Sequence, residues 1–465
     1  MRNAERGKKE MGMAAIELVP SARRLITSLR DIGYDFSQAV ADVVDNSIEA
    51  GATRVAIDIE FDGDDSWVRI ADNGKGMKPD ELREAMRYGS EREYDADDLG
   101  KFGLGLKTAS MSQCQCLSVA SRWNADRTDI AAYSWDLNHI ERTNRWEILP
   151  LDRNGVGPAI RQPLKETTGT VVLWSRLDRI LGYKHPYGEL ARKRLSQICR
   201  DVESHLAMVF HRFLNGEVRG KRFRLFLNGN EIKPWDPFCQ TEAKTKKLQP
   251  FSFVVEHEGV SGEVLFQPFI LPHQQDFSTG DAFRAATGST KWNQQQGFYI
   301  YRADRMIQSG GWSHLRAIDE HTKLARIAVS LSPKLDEAFT INVAKMRVQI
   351  PGQIRDAVRE AIVPVTKLAR EVYDRKGVTT CGHTFRPIGA AAPDPPSPQV
   401  AEADQPPLDE TTTDPLGATV APRPVDPPSP LLTLDQWSQL LLRAATVEER
   451  PVIEALLSRL QMLKS

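Results

Sequence analysis

Residues 42–57 read DVVDNSIEAGATRVAI, and within them a helical pattern of apolar residues passes directly into a strand pattern. Apolar residues recur three or four positions apart before and within the first part, which predicts an amphipathic helix with an N-cap at Ser37. Gly51 provides the stop signal at its C-terminal end. Apolar and polar residues then alternate over residues 53–60 and 66–72, which predicts two strands packed beneath the helix.

The predicted helix also carries acid and amide groups. Asp42 and Asn46 are four residues apart and therefore share one helix face. An amide oxygen is a suitable Mg²⁺ ligand, and a carboxylate one turn away can hold a water and accept its proton, as hydrolysis of a phosphoanhydride requires. Asp45 is the second candidate for that base. Taken alone, this segment is equally compatible with a solvated polar face.

Composition excludes few classes of function. The 465 residues contain 61 Lys and Arg and 62 Asp and Glu, so the net charge of -1 indicates no overall preference for nucleic acid or membrane. No apolar run resembles a signal sequence or a membrane span, and we expect a reduced, soluble, cytoplasmic protein with no membrane partner. The five scattered cysteines match no zinc pattern and are interpreted as buried or incidental thiols: Cys114, Cys116, Cys199, Cys239 and Cys381.

The chain divides into five predicted segments. A long amphipathic helix over residues 188–213 and a hairpin with an Asn228-Gly229 turn are taken as the start of a second α+β domain, which a helix over residues 353–375 closes. Proline and small polar residues then dominate, which predicts disorder. The segments are a flexible N-terminal arm (1–20), an ATP-binding domain (21–180), a second domain (181–385), a disordered linker (386–430) and a helical appendage (431–465).

Two glycine-containing stretches point to a nucleotide. In IADNGKGM (70–77), Asp72 ends a strand and can accept a hydrogen bond from an exocyclic amine such as adenine N6, while the glycines let the backbone approach a flat ligand. In GKFGLGLKTASM (100–111), glycines open a helix whose first N–H groups form an anion-binding nest, and Lys107 adds a cation for phosphates. The second stretch is not a P-loop, because Leu106 stands where that motif needs glycine.

These three stretches, in this order and spacing, resemble the motifs of the GHKL superfamily of gyrase B, ninety-kilodalton heat-shock chaperones, histidine kinases and MutL. TGTVVLW (168–174) is similar to the later Gly-Thr strand of that family. The resemblance implies an α+β fold, with a Bergerat-fold ATPase α/β sandwich followed by an S5-like transducer domain, and residues 88–103 as the lid over the phosphates. It also implies Mg²⁺ at Asn46 and ATP contacts from Asn46, Asp72, Gly74, Gly76, Met77, Gly103, Leu104, Gly105, Leu106, Lys107, Thr108 and Thr170.

The second domain indicates the branch of the superfamily. FTINVAKMRVQIP (339–351) resembles the transducer loop of the gyrase and MutL branch, which implies that Lys345 contacts the γ-phosphate. GFYIYRADRMIQSGGW (297–312) resembles a strand-turn-strand unit of that domain. Histidine kinases lack such a domain. The Lys107 segment and FLNGNEIKPWDPF (226–238) are closest to MORC-type ATPases and their bacterial relatives.

One departure affects the expected rate. Most gyrase-like and MutL-like enzymes have glutamate where this chain has Asp42, and the shorter side chain moves the base by about 1 Å, a displacement that can cost on the order of 100-fold in rate. We therefore expect slow hydrolysis by an ATP-gated dimerising clamp. A basic segment over residues 192–224 favours double-stranded DNA as its substrate, and the MORC resemblance suggests a nuclease or other effector partner in bacterial restriction or phage defence.

Two alternatives remain open at this stage. The first is a non-hydrolysing, nucleotide-dependent scaffold whose C-terminal helices recruit an effector. The second is a chaperone-like ATPase, against which the short segment after residue 375 argues, since it offers no large client-binding region.

Overall fold

A computed structural model describes most of the first 378 residues. The described residues are 19–31, 33–89, 105–126, 128–152, 155–180, 185, 187–218, 220, 222–288, 290–341 and 348–378. The chain separates into two compact units, residues 1–384 and 385–465, and every described residue belongs to the first. The predicted linker and helical appendage lie outside the described residues, as do nearly all of the arm and the lid. No helix among the described residues is long and apolar enough to cross a membrane.

The first sheet has eight strands within this part of the chain. They are β1 (Arg54–Glu60), β2 (Trp67–Asp72), β3 (Cys116–Arg122), β4 (Ala131–Asp136), β5 (Leu149–Pro150), β6 (Gly169–Ser175), β7 (Arg224–Leu227) and β8 (Asn230–Glu231). Their order is β5-β4-β3-β6-β2-β1-β7-β8, and each neighbouring pair is antiparallel except β1 with β7. The predicted alternation in β1 is confirmed, because Val55, Ile57 and Ile59 are buried. The adjoining strand β2 continues the sheet to Asp72.

Helices of the same unit pack against this sheet. They are α1 (Ala22–Arg30), α2 (Phe36–Glu49), α3 (Pro79–Met86), α4 (Gly105–Met111), α5 (Leu137–Thr143), α6 (Pro158–Arg161), α7 (Glu189–Val209) and α8 (His211–Leu214). Apolar residues of α2, α4 and α7 share one core with β1, β2 and β6. The predicted N-cap of α2 was wrong by two residues: Asp35 is the cap, and its side chain accepts a hydrogen bond of 2.9 Å from the Ser37 backbone N–H.

A second sheet follows with its own core. Its strands are β9 (Lys246–Lys247), β10 (Phe251–His257), β11 (Val260–Ile270), β12 (Gly297–Arg302), β13 (Arg305–Gln308) and β14 (Ala325–Leu331), and its helices are α9 (Gly280–Thr287) and α10 (Gly352–Val378). The order is β10-β11-β14-β12-β13, with β9 paired to β11. Val358, Ile362 and Val365 of α10 are buried in this core. An α/β sandwich followed by a second sheet with its own helices is therefore the observed fold class, as the sequence predicted.

The transition between the two sheets lies later than the sequence analysis placed it. The sequence predicts that the second domain starts at residue 181, because a long helix and a hairpin follow there. In the structure, β7 extends the first sheet beside β1, and the apolar face of α7 packs into the first core. The second sheet begins only at Lys246. The sequence gives no sign of this, since strand partners are set by tertiary packing.

The hairpin of β12 and β13 lies against helices that pack on the first sheet. Its two turn residues, Ala303 and Asp304, have φ values of 47° and 66°, as a two-residue hairpin turn requires. The Tyr301 hydroxyl lies 2.7 Å from His211 Nε2, and Arg212 donates a hydrogen bond of 3.0 Å to Asp304. These contacts hold the β12–β13 hairpin against α8.

The inclusion of α7 in the first core can be tested on two leucines of that helix. Leu206 is fully buried, whereas Leu190 is 74% exposed. We expect Leu206→Ala to lower the free energy of unfolding by about 2–5 kcal/mol, because it leaves a cavity between α7 and the sheet. Leu190→Ala is the matched control and should change it by less than about 0.5 kcal/mol. Chemical denaturation measures both, and equal effects would contradict this packing.

Candidate active site

The Asp72 carboxylate lies at the end of β2, where three segments of the chain meet. Its Oδ2 accepts a hydrogen bond of 3.1 Å from Ser47 Oγ on α2, and its Oδ1 accepts bonds of 2.8 Å from the Gly74 N–H and 3.2 Å from the Thr170 N–H. Burial raises the pKa of Asp72 to about 6, and these three hydrogen bonds oppose the rise. The three hydrogen bonds thus fix the carboxylate in place, and its pKa of about 6 lies close to neutral pH.

The backbone around Asp72 is packed too closely for side chains. A Cβ at Gly169 would lie 2.0 Å from the Asp72 carbonyl oxygen, and a Cβ at Gly76 would lie 2.1 Å from the Arg122 carbonyl oxygen. Gly74 is similarly close to Ala50, at 2.8 Å from its Cβ. The glycines are therefore required by close packing within the protein itself, and the predicted approach of Gly74 and Gly76 to a flat ligand stays a prediction.

The Ser121 hydroxyl joins the first glycine stretch to β6. Ser121 Oγ accepts a hydrogen bond of 2.8 Å from the Met77 N–H and donates one of 2.9 Å to the Gly169 carbonyl. The same oxygen lies 3.1 Å from Thr170 Oγ1. Two of the predicted contact residues, Met77 and Thr170, are thus brought together with Asp72 at one end of the sheet.

Asn46 projects from α2 and is exposed. Its Nδ2 donates a hydrogen bond of 3.0 Å to the Asp42 carbonyl one turn earlier, which leaves the amide oxygen as the atom suited to a cation. The donor type and exposure of Asn46 therefore fit the predicted Mg²⁺ ligand.

Asp42 and Asp45 are buried, contrary to the picture of a solvated polar face. Both are paired with Arg305 of β13: Arg305 Nη2 lies 3.1 Å from Asp42 Oδ1, and Arg305 Nε lies 2.8 Å from Asp45 Oδ2. The Asp42 Oδ2 atom faces the start of α4, where a Cβ at Gly105 would lie 4.0 Å from it. One carboxylate edge of Asp42 is thus turned toward the predicted phosphate end of the site.

Helix α4, whose start faces Asp42, carries four of the predicted contact residues. Leu106 is half-buried against the first core, and Thr108 is buried. Lys107 is also buried, and its Nζ donates a hydrogen bond of 3.0 Å to the Ala85 carbonyl at the end of α3. Burial lowers the pKa of Lys107 to about 8, and the nearby Glu84 opposes this effect. In this structure the ammonium therefore contacts the helix that precedes the predicted lid.

Three predicted site residues lie outside the described residues: Gly103, Leu104 and Lys345. The described members converge on one region between α2, α4 and the end of β2, and their roles toward a nucleotide stay predictions.

Sequence reasoning missed four residues of this region. Ser47 and Gly169 adjoin predicted residues and could have been found from their motifs, since Gly169 directly precedes Thr170. Ser121 and Arg305 have no local signal. Arg305 is 263 positions from Asp42 in sequence, and only the fold brings the two together.

Comparison with known proteins agrees with this arrangement. Residues 34–170 match the family model described as "Histidine kinase-, DNA gyrase B-, and HSP90-like ATPase". The matched range contains α2, the two glycine stretches over residues 70–77 and 100–111, and the first residues of β6. These residues therefore form an ATPase domain of the GHKL type. The match leaves most of the chain uncovered, including the whole second sheet.

Several curated relatives are similar to the same part of the chain. The DNA mismatch repair protein MutL of Aliivibrio fischeri is 39% identical over 103 residues, which are 21% of this chain and 16% of that protein. MutL of Vibrio parahaemolyticus is 37% identical over 103 residues, 21% of this chain and 15% of that protein. MutL of Pasteurella multocida is 40% identical over 91 residues, 18% of this chain and 15% of that protein. The match spans less than a fifth of each relative.

The close approach of β6 to Asp72 yields a test on two glycines. Gly169 and Gly229 both have positive φ, at 147° and 80°, but a Cβ at Gly229 would meet no atom within 4 Å. We expect Gly169→Ala to lower the free energy of unfolding by about 3 kcal/mol or more, because the new methyl overlaps backbone. Gly229→Ala should cost only about 1 kcal/mol of backbone strain. Similar losses in thermal unfolding would contradict the close approach.

Proposed function

We propose that the chain is a Mg²⁺-dependent ATPase whose nucleotide site is the region between α2, α4 and the end of β2. The observation that carries this proposal is the Asp72 cluster, in which one carboxylate is hydrogen-bonded by Ser47 of α2, Gly74 of the first glycine stretch and Thr170 of β6. Such a fixed carboxylate beside closely packed glycines is suited to an adenine amino group. ATP hydrolysis in general agrees with the family to which residues 34–170 belong.

Each proposed step uses a residue of the chain. Asp72 accepts a hydrogen bond from adenine N6, and the backbone at Gly74 and Gly76 contacts the base. Asn46 supplies an oxygen ligand to Mg²⁺, which neutralises phosphate charge when bound. Asp42 orients a water and accepts its proton.

Asp42 is preferred over Asp45 as the base for a geometric reason. Arg305 Nε lies within 2.9 Å of both Asp45 oxygens, whereas the contact of Arg305 Nη2 with Asp42 Oδ1 is longer, at 3.1 Å, and Asp42 also lies beside Gly105 at the start of α4. A carboxylate held at both oxygens by a guanidinium is a poor proton acceptor, because protonation would break its ion pair. We also propose slow turnover, since the aspartate side chain is one methylene shorter than the glutamate usual in related enzymes. Lys345 is proposed to contact the γ-phosphate.

Beyond hydrolysis, we propose an ATP-gated clamp of two protomers acting on double-stranded DNA. The relatives that match the ATPase region are named as DNA mismatch repair proteins, which supports this substrate. The basic segment supports it only in part, because Arg212 is paired with Asp304 and Arg224 with Glu231. Lys193 is likewise paired with Glu189, and the exposed basic residues that remain among the described ones are Arg192, Arg194, Arg200 and Arg222.

A bacterial MORC-like identity, with a nuclease or other effector partner in restriction or phage defence, is the finer form of this proposal. It rests on the resemblance of the Lys107 segment and residues 226–238. The competing functions are a scaffold that binds ATP without hydrolysing it and a chaperone-like ATPase. Turnover that depends on Asp42 argues against the scaffold, and stimulation by DNA argues against the chaperone.

ATP turnover is the first test of the proposed mechanism. We expect phosphate release from Mg²⁺·ATP to fall on the order of 100-fold or more in Asp42→Asn, because the amide cannot accept a proton from water. Lys345→Ala should lower turnover similarly by removing a positive charge from the γ-phosphate. Double-stranded DNA should raise wild-type turnover.

Binding measurements separate chemistry from folding in the same experiment. Asp42→Asn should bind a non-hydrolysable ATP analogue within about threefold of wild type, since Asp42 is proposed to act on the attacking water and not on the nucleotide, whereas Lys345→Ala loses a contact to the γ-phosphate and should also bind more weakly. Wild-type turnover that Asp42→Asn retains would exclude Asp42 as the base. Saturable binding without any turnover would favour the scaffold.

The proposed adenine contact gives a prediction of pH dependence. Burial raises the pKa of Asp72 to about 6, so its charged form predominates above pH 6 and is lost as the pH falls through that value. ATP affinity should therefore weaken below pH 6, by up to about tenfold per pH unit, because the protonated carboxyl is a poorer acceptor for adenine N6.

Inosine triphosphate is the matched control, since it carries the same phosphates but an oxygen in place of the amino group. A protonated Asp72 can donate to that oxygen, so the ratio of ATP to inosine triphosphate affinity should fall as the pH is lowered from 8 to 5. Isothermal titration with Mg²⁺ present measures both. A constant ratio would contradict the contact between Asp72 and the base.

A further inference from the structure

Arg305 joins two carboxylates of α2 to the second sheet. Its side chain is 4% exposed, and those of Asp42 and Asp45 are 4% and 2% exposed. The guanidinium reaches both through different nitrogen atoms, with Nη2 at 3.1 Å from Asp42 and Nε at 2.9 Å and 2.8 Å from the two Asp45 oxygens. One cation from β13 is thus shared between the proposed base and its neighbour.

The negative charges of Asp42 and Asp45 make the stability of this region depend on the positive charge of Arg305. Two buried carboxylates near each other repel and are costly to desolvate, and removing the partner of a buried ion pair leaves a buried charge without compensation. His205 lies close by, but burial and the charge of Arg305 lower its pKa to about 4, so it is neutral at physiological pH. Tyr34 also faces Asp42, whose charge, together with burial, raises the pKa of the phenol. The positive charge between the two aspartates is therefore that of Arg305.

The hairpin that carries Arg305 is itself fixed on both sides of its turn. Arg302 Nε lies 2.8 Å and 3.0 Å from the two Asp336 oxygens, which ties β12 to the segment after β14. Asp304, in the turn of the hairpin, accepts a hydrogen bond of 3.0 Å from Arg212 of α8. Arg305 therefore has little freedom to move without moving the hairpin, and the second sheet sets its position.

We propose that Arg305 is a positioning residue for ATP hydrolysis, which fixes Asp42 relative to the start of α4 and transmits the nucleotide state of α2 to the β12–β13 hairpin. This inference rests on the proposed function, since it needs a nucleotide between α2 and α4. The planar fork of arginine is required because one side chain must bridge two carboxylates at defined angles. A lysine keeps the charge but offers a single nitrogen.

Turnover of Arg305 variants is the first part of the test. Arg305→Gln should lower kcat about 30-fold or more while changing the dissociation constant of a non-hydrolysable ATP analogue less than about threefold, because a base displaced by about 1 Å loses rate rather than binding. Arg305→Lys should recover part of the loss. Unchanged kcat in a folded Arg305→Gln protein would overturn the proposal.

Arg302→Gln is the matched control for stability. It removes a guanidinium from the same hairpin and from a pair that is equally buried, with side chains 3% and 4% exposed, but Arg302 is paired with Asp336 rather than with α2. Both glutamine variants should unfold at lower temperature than wild type. At a temperature where both are folded, Arg305→Gln should lose much more kcat than Arg302→Gln, because Arg302 acts on Asp42 only through the hairpin, and equal losses of kcat would overturn the specific role of Arg305.

Hydrogen exchange gives a readout that does not need turnover. Adding the ATP analogue to the full-length protein should slow amide exchange in α2 and in residues 297–308 of the wild type. In Arg305→Gln the slowing should be confined to the first sheet and its helices. A hairpin response that is absent in wild type, or that persists in Arg305→Gln, would overturn the coupling. Binding with this pattern but without hydrolysis would instead refute the proposed ATPase activity and leave the coupling supported.

Discussion

The ion pairs of Arg305 with Asp42 and Asp45 are the contact on which the candidate site depends. A buried cation between two buried carboxylates is stable only if each partner stays in place, because any separation leaves an unpaired charge in a poorly solvated position. Around it, the Arg302–Asp336 pair, the Arg212–Asp304 pair and the hydrogen bond between Tyr301 and His211 fix the hairpin. The second sheet is thereby part of the site's construction rather than an appendage to an independent ATPase domain.

The Asp72 end of the site is built by a different kind of constraint. Two backbone segments are in close contact here, since β6 passes Asp72 so closely that only glycine fits at position 169. Burial makes the carboxylate harder to ionise, and three hydrogen bonds compensate in part. A carboxylate in such a balance suits recognition of a single donor group on a flat base. The two ends of the site thus divide the proposed work between base recognition and hydrolysis.

The ATPase region is related to MutL over only a small share of either chain, and the second sheet lies outside that match. The contacts of β7 and α7 with the first core show that the region needed to complete the first sheet extends beyond the matched residues. Any function that depends on the second sheet therefore has to be argued from this chain's own contacts. Arg305 is the most direct of these, because it is the point where the second sheet touches the proposed base.

The sequence by itself determined the elements and the type of site. Periodicity identified α2, β1 and β2, and the spacing of DVVDNSIEA, IADNGKGM and the segment through Lys107 indicated an ATPase of the GHKL type. These signals are local, since helix caps, alternation and glycine turns depend on residues that are near in sequence. The tertiary structure alone decided that β7 joins β1, that Asp42 and Asp45 are buried, and that Arg305 pairs with both. Such contacts join residues that are hundreds of positions apart, and a single sequence carries no period or spacing from which they could be predicted.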